Sequence, residues 1–222
     1  MIEAPLSTTT ATPRRLAATL AAVAVLVVAA AAGGRAIWSA RAAHAQVPSI
    51  AAVYPEPRPL PAFELIAHDG STYDRARLLG HYTLLFIGFS NCPQLCPATL
   101  VELAAASRRL AGLPAALRPV VVMLAVDPRR DTPAVLAGYL AHYDPAFVGV
   151  SGPDAALRVL TKALGAFYEL GPSEAGAYRV DHSVALFVID PAARLLAVYA
   201  ATPAAAALAA DYTRLVRARA GA

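Results

Sequence analysis

The sequence predicts an α/β fold, a mixed sheet with helices packed on both faces. Residues 83–89 and 119–126 are continuous apolar runs, too unbroken for strands with one wet face. Each is followed by a stretch whose apolar residues recur at helical spacing. The chain then closes with two more strand-like runs around a turn, and a last helical stretch.

Taken in order, residues 63–66 and 71–73 flank His68-Asp69-Gly70, a hairpin signal. The first buried strand, 83–89, leads into a helix over 98–110 that stops at Gly112. After the second buried strand, Thr132 serves as N-cap and Pro133 as first residue of a helix reaching 143. A short strand at 147–150 precedes a helix that starts at Ser151 or Pro153 and runs to 164, with Gly165 past its end. Residues 184–189 and 195–199 flank Asp190-Pro191-Ala192-Ala193-Arg194 as a hairpin, and a helix covers 204–219. This order is a thioredoxin-like layout, with the folded domain expected over 62–222.

The N-terminal quarter reads differently. Residues 16–32 carry no charge, and these 17 residues span about 25 Å as a helix, slightly short of a hydrocarbon core of about 30 Å. Gly33, Gly34, Ile37 and Trp38 extend the run, with Arg35 snorkelling to the interface. We read 1–15 as a cytoplasmic N-terminus and 16–38 as an uncleaved transmembrane helix. The alternative is a signal peptide with Arg14-Arg15 as its basic start and Ala43-His44-Ala45 as its cleavage site. The apolar run is longer than such peptides use, and that site lies far beyond its end. Arg35 and Arg41 balance Arg14 and Arg15, so charge does not fix the orientation. A folded domain behind a lone N-terminal anchor is usually exported, which places it at the periplasmic side of a bacterial inner membrane. Residues 39–61, with Pro48, Pro55, Pro57, Pro59 and Pro61, read as an extended linker.

The formal charge of +4 is modest. Basic residues gather near the anchor and in the tail (Arg214, Arg217, Arg219) without interleaved aromatics, which argues against nucleic acid.

The chain has two cysteines, Cys92 and Cys96, in Asn91-Cys92-Pro93-Gln94-Leu95-Cys96-Pro97. A disulfide across so short a loop removes little chain entropy, so a structural staple is a weak use of the pair. The loop follows the first buried strand and opens a helix, at the carboxyl edge of the sheet, where open α/β sheets place their chemistry. On one helical turn both sulfurs face one point, and a helix N-terminus favours thiolate. Two chemistries stay open: soft-metal binding and thiol–disulfide exchange. The third candidate is His182, in Val180-Asp181-His182-Ser183, placed just before the strand at 184–189. Two thiolates and one imidazole suit Cu(I), whereas structural zinc wants a fourth ligand. The plainer reading is a histidine that ends a strand and bonds a backbone carbonyl.

Residues 88–97, 126–133 (Val-Asp-Pro-Arg-Arg-Asp-Thr-Pro) and Asp181-His182-Ser183 occur in the same order in the Sco/SenC family, which the chain resembles from about Pro61 to its end. The resemblance implies a thioredoxin-fold, membrane-tethered copper protein that delivers copper to the dinuclear centre of cytochrome c oxidase. It makes Cys92, Cys96 and His182 the copper ligands, for Cu(I) or Cu(II). It also implies thiol–disulfide activity toward the oxidase's cysteines. One position departs from the pattern: Gln94 stands where the family has an acidic residue. That change leaves all three ligands but alters the local field. The peroxidatic motif of peroxiredoxins, which share the fold, is not evident.

Asp127 and Asp131 bracket Pro128-Arg129-Arg130. One reading has this turn fixing the metal loop through Arg–carboxylate pairs. We prefer the other, in which Asp127 ends a strand while Asp131 and Thr132 cap a helix. Asp181, adjoining the ligand, is the better candidate to support it. His44, His68, His81 and His142 read as surface residues, and Tyr139, Tyr143, Phe167, Tyr168 and Tyr178 as packing. The expected function is a copper metallochaperone rather than an enzyme in the turnover sense. Its partners are the oxidase's copper-binding subunit, the membrane and other copper chaperones. The rivals are a thiol–disulfide oxidoreductase and a copper or redox sensor.

Overall fold

The two continuous apolar runs become the buried centre of the sheet. The computed structural model describes residues 49–172 and 178–221. Its elements run β1 (Ala52–Pro59), β2 (Glu64–Ala67), β3 (Thr72–Asp74), β4 (Tyr82–Gly88), α1 (Leu95–Leu110), β5 (Pro119–Ala125), α2 (Pro133–Ala141), β6 (Val148–Ser151), α3 (Asp154–Leu164), β7 (Tyr168–Leu170), β8 (Val180–His182), β9 (Leu186–Ile189), β10 (Arg194–Tyr199) and α4 (Ala205–Ala220). Among the described residues β1-β10-β9-β4-β5-β6-β2-β3 form one eight-stranded sheet, and β7 and β8 a separate two-stranded ribbon. β4, β5 and β6 are parallel, while β9, β10 and β1 join antiparallel beside β4.

Every residue of β4 is buried, because its side chains alternate into two cores. Leu84 and Phe86 meet Leu100 and Leu103 of α1, Leu136 and Leu140 of α2, and Leu208 and Tyr212 of α4. Leu85 and Ile87 meet Leu157, Leu160 and Leu164 of α3, together with Phe63, Tyr73 and Leu78. Both faces are therefore apolar, which is why the sequence reads as a run rather than an alternation.

The expected caps form. The Val135 amide donates to the Thr132 hydroxyl at 3.4 Å, with Pro133 opening α2. Gly165 ends α3 with φ +74°, a left-handed position that suits glycine.

Two expectations are corrected. Residues 39–61 are not all linker, since β1 pairs with β10 at Ala52↔Val198, Val53↔Ala197, Arg58↔Leu195 and Pro59↔Arg194. Prolines are tolerated there because β1 is an edge strand, and the register breaks between Val53 and Arg58, where Pro55 and Pro57 lie. The entering chain is also fastened. The buried Asp211 carboxylate of α4 accepts from the Ser49 hydroxyl (2.6 Å), the Ile50 amide (3.2 Å) and the Tyr199 hydroxyl (3.0 Å). The folded domain thus begins before residue 62. Second, the strand expected at 184–189 starts at Leu186, and His182 belongs instead to β8, which pairs with β7 at Tyr168↔His182 and Leu170↔Val180. Three-residue strands carry too little alternation to be read from sequence.

The transmembrane helix expected at 16–38, its signal-peptide alternative and the cytoplasmic stretch 1–15 lie outside the described residues. Among those described, no helix is long and apolar enough to cross a membrane.

Gly88, the last residue of β4, lies against the start of α1. A Cβ there would stand 2.9 Å from Cys96 Sγ, 3.1 Å from the Phe86 ring and 3.3 Å from Met123 Cε. Gly88→Ala is expected to lower stability by about 1–3 kcal/mol in urea unfolding, as overpacking does. An unchanged midpoint and slope would show that the contact is slack.

Candidate metal centre

Helix α1 starts at Leu95, and its N-cap residue, Gln94, makes no side-chain capping bond. The sulfur of Cys92 takes that place, accepting the Cys96 amide at 3.4 Å. The amides of Gln94 and Leu95 also donate to it, and the Cys96 thiol interacts with it. Pro93 and Pro97 flank these donors without removing them, and Pro97 lies in the first helical turn, where its missing N–H has no intrahelical partner to lose.

Both cysteines are free thiols, and their surroundings differ. Partial burial raises the pKa of Cys92, but the converging amides outweigh it and the net shift is downward. Burial pushes the Cys96 thiol up to about 12; the Phe89 amide opposes this and the Cys92 sulfur reinforces it. Cys92 is half-buried at the rim of a cleft, and Cys96 lies beneath it.

His182 ends β8 and its Nδ1 lies 2.9 Å from the Ser183 carbonyl. A carbonyl only accepts, so Nδ1 carries the proton and the Nε2 lone pair is the one offered for ligation. The plainer reading of this histidine is therefore met, and it leaves Nε2 as the candidate ligating nitrogen. The ring stands edge-on to Phe89, centroids 5.8 Å apart and planes at 86°. His182 borders two cavities. One, of about 460 Å³, also holds Cys92, Gln94 and Arg130, and the other, of about 320 Å³, holds Cys96, Thr99 and Glu102. The imidazole thus shares one cleft with each thiol. Yet among the described residues no three His, Cys, Asp or Glu side chains lie close enough to hold a metal ion. The donor set and the space fit a soft three-coordinate cation once the imidazole moves toward the sulfurs.

The turn after β5 supports the thiol loop, through carboxylate–serine bonds rather than the Arg–carboxylate pairs considered for it. The buried Asp131 carboxylate receives the Ser90 amide at 3.2 Å and the Ser90 hydroxyl, fixing the residue that enters the thiol loop. Burial raises the pKa of Asp131, and these bonds oppose the rise. Asp127, fully buried, accepts from Arg130 Nε and from the Tyr178 hydroxyl. Thr132, not Asp131, caps α2. Asp181 is no partner of His182: it points to solvent and pairs with exposed Arg179 at 3.2 Å. Adjacent residues of a strand face opposite ways, which separates the two.

Sequence reasoning missed Phe89 and Tyr178 as neighbours of the site, and gave the turn that carries Arg130 only second place. Tyr178 and Asp127 are 51 positions apart, and no local pattern signals that bond. His68 is more than a surface residue, since its Nδ1 accepts the Gly149 amide at 2.9 Å and ties β2 to β6.

At neutral pH, iodoacetamide is expected to modify Cys92 well before Cys96, because one sulfur is more accessible and more readily ionised while the other is buried and its pKa is raised. Peptide mass mapping of a partly alkylated sample checks this. Equal labelling of both residues would contradict the asymmetry.

Comparison with known proteins agrees with this geometry. The profile of the family described as SCO1/SenC matches residues 54–217. A Stutzerimonas stutzeri protein described as copper-binding is 38% identical over 140 residues, covering 62% of this chain and 67% of that one. Protein SCO2 homolog, mitochondrial, of Bos taurus is 34% identical over 131 residues, 58% of this chain and 49% of its own, so the chain spans about half of that relative. Among solved structures, copper-bound yeast Sco1 superposes with TM-score 0.67 at 26% identity, covering 72% of this chain and 90% of that one. Copper-bound ScoI of Arabidopsis thaliana gives 0.66 at 27%, covering 71% and 97%. The fold is the thioredoxin-like fold of these proteins, and the chain belongs to the SCO1/SenC family.

Proposed function

We propose that this chain is a membrane-anchored copper metallochaperone that holds copper through Cys92, Cys96 and His182. It passes the metal to the copper-binding subunit of cytochrome c oxidase during assembly, and receives it from other copper chaperones. The observation that carries this reading is the pairing of an amide-stabilised sulfur with an imidazole that lines the same cleft and whose Nδ1 is taken by a carbonyl. Two solved relatives with copper bound support it. The anchor at residues 16–38, with the domain facing the periplasm, belongs to the same proposal.

Copper is cargo here, and three protein ligands leave a coordination position through which an acceptor ligand can enter. Cys92 offers the more exposed and more readily ionised sulfur. Cys96 must lose a proton when metal binds, because its thiol is held at about 12. Binding therefore releases protons and tightens as pH rises, by about tenfold per pH unit for each proton displaced. The rim is apolar where a partner would approach, with Leu95 and Val184 exposed beside the ligands.

The asymmetry of the thiols favours a second reading, thiol–disulfide exchange. The Cys92 thiolate would attack a partner disulfide, displacing one partner thiolate and forming a mixed disulfide. Deprotonated Cys96 would then attack the Cys92 sulfur, closing Cys92–Cys96 and freeing the second partner thiolate, so that the partner gains two electrons and this chain loses them.

Titrating the reduced full-length chain with Cu(I) against a chelator separates the two. The copper reading expects one Cu(I) per chain, a loss of about tenfold in affinity for His182→Ala and of about a hundredfold for either Cys→Ser variant. It also expects weaker binding at pH 6 than at pH 8. Equal affinity in wild type and His182→Ala, with disulfide reduction retained, would leave the exchange reading in its place.

A further inference from the structure

The thiols and the imidazole sit on different segments, one entering α1 and the other ending the β7–β8 ribbon, and one side chain touches the framework of both. The Arg130 guanidinium lies 4.0 Å from the centre of the Tyr178 ring and 5.9 Å from that of Phe89. Phe89 is the last residue before the Ser90 bond that fixes the thiol loop, and its ring meets the His182 imidazole at 5.8 Å. Tyr178 lies four positions before His182 and binds the same buried Asp127 carboxylate that receives Arg130 Nε. From this we propose that Arg130 is a positioning residue for His182. Set against Phe89 and Tyr178 and bonded to Asp127, it narrows the positions that the imidazole samples beside the clefts it shares with Cys92 and Cys96.

Three observations favour a clasp over ordinary packing. First, the guanidinium combines an Nε bond to Asp127 with a cation–ring contact to Tyr178 at 4.0 Å, two contacts that the compact ammonium of a lysine cannot make together. Second, Arg130 Nη2 is buried without a hydrogen-bond partner, so hydrogen bonding alone does not explain why the group is held there. Third, the three ligands are not yet gathered in this structure, so the imidazole has a gap to close. A ring with few positions to sample closes that gap with less loss of freedom than a ring on an untethered ribbon, and this is where affinity is gained. The clasp deepens the copper reading and rests on it for the metal arm of its test only.

The metal-free arm uses NMR on the reduced full-length chain. Arg130→Lys and Tyr178→Leu are each expected to abolish the cross-relaxation between the His182 and Phe89 rings. Tyr178→Leu leaves the Asp127–Arg130 pair intact, so it serves should Arg130→Lys fail to fold. An unchanged ring contact in a folded variant would overturn the clasp. The metal arm is a double-mutant cycle read by Cu(I) affinity. Arg130→Lys should weaken Cu(I) binding by about tenfold in wild type and by nothing further in His182→Ala, because its effect passes through that ring. Equal weakening in both backgrounds would make Arg130 a general structural residue and overturn the proposal. A chain that binds no Cu(I) at all would sink the copper reading, and the NMR arm would still decide the clasp.

Discussion

Helix α1 begins with its first-turn amides directed at a sulfur rather than at an oxygen. With no side-chain cap from Gln94, the Cys92 sulfur accepts the Cys96 amide, and the other free amides of the turn converge on it. Unpaired helix-start amides and the positive end of the helix dipole both favour a negative charge there. Everything else at the site follows from that placement. The helix sets Cys96 one turn on, where it sinks against β4 and Gly88 must stay bare to admit it. The opposite protonation tendencies of the two thiols then arise from one geometric fact, the same turn having an outer and an inner sulfur.

Supports come from the neighbouring strand, not from the loop itself. Asp131 and Asp127 follow β5, the parallel partner of β4, and buried carboxylates of this kind persist only when fully hydrogen-bonded. Asp131 spends its oxygens on Ser90, and Asp127 on Arg130 and Tyr178. One turn thereby steadies the thiol loop from below and reaches across to the segment that carries the imidazole. The strands β7 and β8 pair with each other and not with the main sheet, so the His182 imidazole reaches the cleft from a separate element.

Much of this was legible in the sequence, for reasons that vary by residue. Strands β4 and β5 announced themselves because burial on both faces leaves no polar position to interrupt them. Thr132-Pro133 and Gly165 declared the limits of helices because each residue type suits one backbone situation. The order of motifs pointed to the family, and the cysteine spacing to the candidate site. Strand β1 was hidden because proline reads as linker until an edge is available to accept it. The ribbon was hidden because three residues make no period. The roles of Asp181 and Tyr178 came out reversed: adjacency in sequence favoured the aspartate, whereas strand alternation turns it outward and a long-range bond brings the tyrosine in.

The central claim is that two sulfurs held by the start of one helix and one imidazole from a separate ribbon gather around a single copper. X-ray absorption spectroscopy of the Cu(I)-loaded full-length chain tests it most directly. The account predicts a first shell of two sulfurs and one imidazole nitrogen, with the outer-shell scattering of the ring lost in His182→Ala. A shell of sulfur alone in the wild type, unchanged by that substitution, would contradict it.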